Sequence, residues 1–119
     1  MMTPVISVAL GGAIGSVLRY LVGLTVAFPL GTLTVNVIGS FAIGVIWVHL
    51  ADRGLQHWSP FVMTGLLGGF TTFSAFTLDA LRLFEEGRFT AAGAYIAGSV
   101  VLSLMACGLG LWLAKGMTT

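Results

Sequence analysis

The spacing of its charged side chains constrains this chain more than any other feature. Arg19 stands in the first third, and Asp52 and Arg53 interrupt the middle. Asp79, Arg82, Glu85, Glu86 and Arg88 fall close together, and Lys115 sits near the end. Between these points run four apolar stretches, approximately 4–26, 31–50, 60–81 and 90–114. Each is close to the roughly 20 residues that carry a helix across a bilayer. Turn-forming residues mark the joints: Pro29 to Gly31, Gly54 to Pro60, and Gly87. The pattern predicts an all-α integral membrane protein, with residues 1–119 forming a single domain of four transmembrane helices and short connections.

Composition closes off the other classes. Hydrophobic residues make up 57% of the chain and charged residues 8%, whereas a soluble domain of this size, with its large wet surface, is about one quarter charged. Disorder requires low hydrophobicity. A net charge of +1 supplies no stripe to track phosphates, which excludes a nucleic-acid partner. The single Cys107 excludes an internal disulfide and a cysteine-based zinc site and reads as a small packing residue. No basic segment precedes the first apolar stretch, which therefore reads as a span and not a leader. Trp47, Trp58 and Trp112 flank one side of the layout, where an aromatic belt belongs.

Orientation is poorly specified. Both termini and the 51–59 loop share one side, which carries Arg53 and Lys115. The other side carries Arg82, Arg88 and Arg19. So close a balance leaves open a single, weakly biased orientation and a dual topology with copies inserted both ways up.

Small-xxx-small pairs occur on all four spans: Gly11/Gly15, Ser40/Gly44, Gly65/Gly69, Ala94/Gly98 and Ala106/Gly110. Such pairs let helices approach closely within one chain or between chains, and a bundle this small has too little interior for a pathway without a second copy. Polar groups inside spans are the functional pointers. No carboxylate is expected deep in a span; Asp79 lies about one turn from the end of the third. His49, at the end of the second, reads as interfacial. No nucleophile–base pair, paired carboxylates or metal-ligand cluster can be assembled, so the chain does not read as an enzyme. Thr32, Asn36 and Ser40 recur at four-residue spacing on the second span, and Tyr95, Ser99 and Ser103 on the fourth. Four residues turn a helix by roughly 400°, so each row keeps to one face. These rows can bond helix to helix or line a pathway. In the third span, Gly68-Gly69-Phe70-Thr71-Thr72 is a poor helix interior and predicts a break mid-membrane. Such a break survives only in protein or beside a cavity, and it frees carbonyls for a cation and N–H groups for an anion. Phe73 and Phe76 share a face beside it.

Three segments together resemble the Fluc/CrcB fluoride channels, and the likeness covers nearly the whole chain. They are Gly11-Gly12-Ala13-Ile14-Gly15-Ser16-Val17-Leu18-Arg19-Tyr20, Gly31-Thr32-Leu33-Thr34-Val35-Asn36-Val37-Ile38-Gly39-Ser40-Phe41 and Gly68-Gly69-Phe70-Thr71-Thr72-Phe73-Ser74-Ala75-Phe76. The resemblance implies an antiparallel, dual-topology homodimer in the bacterial plasma membrane with two pores. It implies passive export of cytoplasmic fluoride, which lowers fluoride toxicity. It implies a structural sodium ion at the dimer centre, held by the backbone carbonyls of Gly68 and Thr71 from both subunits. Phe73 and Phe76 match the pore phenylalanines and Asn36 the pore asparagine. Thr32, Tyr95, Ser99, Ser103 and Thr77 match a polar track along the fluoride pathway, and Arg19 matches a first-helix arginine of unassigned part. Ala75 departs from the hydroxyl that many members carry. Two rival readings are a proton-coupled exporter of the small multidrug resistance type, which needs a buried acid absent from the first span, and an accessory subunit of a larger complex.

Overall fold

The structure, a computed structural model, describes residues 3–118, with side chains through Met117; Met1 and Met2 lie outside the described residues. Four helical spans are long and apolar enough to cross a membrane: Pro4–Thr25, Leu30–Asp52, Gln56–Glu85 and Phe89–Met117. The first, α1 (Pro4–Thr25), begins where Thr3 Oγ1 accepts the Ile6 N–H at 3.2 Å, with Pro4 in the first turn. The second, α2 (Leu30–Asp52), closes on Gly54 at φ +65°, where the Leu55 N–H reaches back to the Leu50 carbonyl at 2.8 Å.

The third span is built in pieces. A 3₁₀ turn (Gln56–Trp58) leads into a π-helical segment (Pro60–Leu67) and a last turn, α3 (Gly68–Phe70). Thr71 and Thr72 are extended, and α4 (Phe73–Glu85) follows. This helix runs about one turn past residue 81, where the sequence places its end. Arg82 does not stop it, since arginine is a good helix former, and its guanidinium rests 4.1 Å from the centre of the Phe28 ring in a cation–π contact. Gly87 at φ +75° makes the stop, with the Arg88 N–H on the Leu83 carbonyl at 2.9 Å. The last span is α5 (Phe89–Thr118).

Glycines set how the spans pack. A Cβ on Gly11 or Gly15 would collide with the carbonyl oxygens of Phe61 or Leu66, and one on Gly69 would stand 2.6 Å from the Gly12 oxygen. Backbone thus rests on backbone between α1 and the first half of the third span. Gly44 and Gly110 do the same between α2 and α5, against Cys107 and Phe41. Four of the five small-residue pairs are therefore used inside the chain. Gly98 is the exception, since a Cβ there meets nothing within 4 Å. Ala80 and Leu83 of α4 bury against Ala92 and Tyr95 of α5, flanked by Leu33 and Phe76.

Candidate functional site

Thr71 and Thr72 lie where the two hydroxyl-bearing helices, α2 and α5, face the third span. Three side chains satisfy the backbone that the missing helical turn releases, and the Thr71 hydroxyl adds a second bond to a carbonyl that already accepts the Thr71 N–H. Arg19 Nε donates to the Gly69 carbonyl at 3.0 Å, placing a cation at a helix C-terminus, where the dipole favours it. Thr71 Oγ1 donates to the Leu67 carbonyl at 2.9 Å. Thr72 Oγ1 accepts the Ala75 N–H at 3.1 Å and so caps α4. Asn36 holds Thr72 by both of its polar atoms: Oδ1 accepts the Thr72 N–H at 2.8 Å, and Nδ2 donates to the Thr72 carbonyl at 3.0 Å.

This arrangement bears on the two carbonyls that the resemblance assigns to a cation. In an unbroken helix, the Gly68 carbonyl would accept from Thr72 and the Thr71 carbonyl from Ala75. Here the Thr72 N–H goes to Asn36 and the Ala75 N–H to the Thr72 hydroxyl. Both carbonyls have lost their helical donors, and both residues line one cavity. Neutral oxygens of this kind suit a hard monovalent cation, so the residues present fit the group that the resemblance implies.

That cavity has a volume of about 370 Å³. Asn36 and Ser40 line it from α2, Ser99 and Ser103 from α5, and Phe73 and Phe76 from α4. No charged side chain lines it. Ser99 is 6% exposed, and its hydroxyl has no hydrogen-bond partner among the described residues. The Phe73 and Phe76 rings lie 5.6 Å apart, and Phe76 lies 5.4 Å from Tyr95, giving a continuous row of three rings. Phe73 is 78% exposed in the single chain.

The other polar residues read from the sequence are placed elsewhere. Thr32 Oγ1 donates to Asp79 Oδ2 at 2.7 Å, and the Tyr95 hydroxyl donates to the same oxygen at 3.3 Å. The two hydroxyl rows do converge, but each splits: its first member serves Asp79, and the next two line the cavity. Thr77 turns its hydroxyl onto the Phe73 carbonyl at 3.0 Å and does not line the cavity. Asp79 is the residue the sequence reading undervalued. It is 8% exposed and deep in the packed α4–α5 region, because α4 continues past it. It forms no ion pair among the described residues, and Arg19 is bonded to Gly69 instead. The signal for it was its spacing with Phe76 and Leu83, three and four residues away on one helix face.

A four-span integral membrane protein with an uncharged, hydroxyl-lined cavity beside an interrupted helix belongs with the proteins that move small solutes or ions. The family can be stated more closely. The model of the CrcB-like protein, Camphor Resistance (CrcB) family matches residues 6–111, and the chain belongs to that family. It is 51% identical over 126 residues to the fluoride-specific ion channel FluC of Ruegeria sp. (strain TM1040), covering 100% of both chains. It is 53% identical to the protein of the same name from Paracoccus denitrificans (strain Pd 1222), over 94% of each. The protein of that name from Roseobacter denitrificans (strain ATCC 33942 / OCh 114) is 52% identical over 98% of each. The chain is thus a multi-pass protein of the bacterial plasma membrane, in a family of ion channels and not of enzymes.

Proposed function

We propose that this protein is a fluoride-selective, passive anion channel that exports cytoplasmic fluoride down its electrochemical gradient. The observation that carries the reading is a cavity beside the extended Thr71 and Thr72 that is lined by Asn36, Ser40, Ser99 and Ser103 and by no charged side chain. Fluoride is small and strongly hydrated, so a pathway must replace its water with donors. Hydroxyls and the second N–H of the Asn36 amide do this without the trap of a fixed charge, and conduction needs sites that release as well as bind. The Phe73 and Phe76 rings carry positive edges that can meet an anion while keeping bulk water out.

The working unit is an antiparallel homodimer of oppositely inserted copies, with two pores. Near-balanced flanking charges support dual topology, and the exposed Phe73 ring supports a second copy completing the pore wall. The Gly68 and Thr71 carbonyls of both subunits would hold the sodium ion that the resemblance implies. When bound, it supplies a fixed positive charge that offsets the cost of an anion in low dielectric and ties the two third spans together.

Fluoride and chloride efflux from liposomes carrying the purified protein tests the reading, with a potassium gradient, valinomycin and ion-selective electrodes. Rapid fluoride loss without chloride loss is expected. No fluoride loss from assembled dimer in sodium would overturn it.

A further inference from the structure

We infer that Asn36 is the positioning residue of the cation site as well as a pore residue; the inference rests on the sodium reading above. Two contacts carry it. Asn36 Oδ1 takes the Thr72 N–H at 2.8 Å, and that N–H is the group which would otherwise close a helical bond onto the Gly68 carbonyl. The amide oxygen therefore keeps Gly68 free to ligate. The second effect follows from peptide geometry. The Thr72 N–H and the Thr71 carbonyl belong to one planar, trans unit, so they point in opposite directions across it. Fixing the N–H on α2 aims the Thr71 carbonyl away from α2. The bond from Asn36 Nδ2 to the Thr72 carbonyl, at 3.0 Å, locks the next peptide unit as well. Thr72 thus sits in a two-point clasp, extended at φ −155° and ψ 121°.

Without the clasp, the part-buried Thr72 N–H loses its acceptor. The nearest in the chain's own logic is the Gly68 carbonyl, one helical step back. Bonding there extends α3 by a residue, removes one ligand and rotates the other. Asn36 and Thr72 both line the cavity, so one amide links the geometry of the cation site to that of the proposed anion path.

The test reads sodium, not flux. Purified dimer in detergent is titrated with sodium against N-methylglucamine at constant ionic strength, and thermal unfolding is followed to give the sodium midpoint. Asn36→Leu, close to isosteric but unable to hydrogen-bond, is expected to raise that midpoint at least tenfold. Asn36→Gln keeps the polarity but is one methylene too long for both contacts. It is expected to raise the midpoint several-fold and carries the test if the leucine variant does not assemble. Gly93→Ala, with nothing within 4 Å of the new Cβ, is expected to leave the midpoint unchanged. A wild-type midpoint retained by the Asn36 variants would overturn the inference while leaving the sodium reading intact. Wild-type protein whose unfolding ignores sodium would overturn the sodium reading and the inference with it.

Discussion

Ser99→Ala separates a pore hydroxyl from a structural one, because the two roles predict opposite signs. Ser99 is 6% exposed, and its Oγ is bonded to nothing among the described residues. A buried hydroxyl left in that state costs about 1–3 kcal/mol. Deleting it removes a liability and only a small volume, so the folded dimer is expected to be unchanged in stability or firmer by about 1 kcal/mol. Transport moves the other way. A hydroxyl donating to an anion contributes about 1.5–3 kcal/mol, and about 1.4 kcal/mol is a factor of ten. Loss of the donor should therefore lower fluoride flux by about 10- to 100-fold if Ser99 acts at the limiting site. Electrode-measured efflux from liposomes at matched protein loading gives the flux, and thermal unfolding in detergent gives the stability. A variant that conducts normally but unfolds more easily would refute the reasoning, since the hydroxyl would then be holding the helices together.

Two further substitutions probe the walls and the frame. Phe73→Ile should lower fluoride flux at least tenfold while gel filtration still shows a dimer, because the ring is 78% exposed within its own chain and packs little there. Gly15→Val should cost about 3 kcal/mol or more, since its side chain would occupy the space of the Leu66 carbonyl. Gly23→Ala, with nothing within 4 Å of the new Cβ, should change stability by less than about 1 kcal/mol. Both are read from yield and unfolding in a common detergent.

The spans were legible because hydropathy and charge are local properties; Gly68 and Gly69, which looked like a poor helix interior, are helical, and the extended residues are Thr71 and Thr72. What escaped the sequence depended on contacts between distant residues. Asn36 was visible as an amide in need of partners, but its partners lie on Thr72, and only the lie of α2 along the third span brings them together. Asp79 was taken to stand near a helix end because Arg82 looks like a boundary. The Phe28 ring that accommodates Arg82 comes from the α1–α2 connection, and no local pattern announces it. Thr77 has the spacing to join Phe73 and Phe76, yet a threonine in a helix has the carbonyl four residues back always within reach, and here it uses it.

The division of the two hydroxyl rows connects fold to function. Thr32 and Tyr95 donate to one oxygen of a buried carboxylate. Facing hydroxyls on α2 and α5 thus converge on one buried carboxyl group, and Asp79 forms no ion pair among the described residues. The next positions on the same helices, Asn36 and Ser40 against Ser99 and Ser103, repeat that chemistry around a cavity. The difference is that no carboxylate fills it. Where the protein supplies the anion, the donors are spent and the site is closed. Where it supplies none, the Ser99 hydroxyl is left without a partner among the described residues, and under the proposed channel function a mobile anion would take the place of the carboxyl group. An uncharged lining is what allows that anion to leave again, because a fixed cation at this depth would hold it with a Coulomb energy of several kcal/mol.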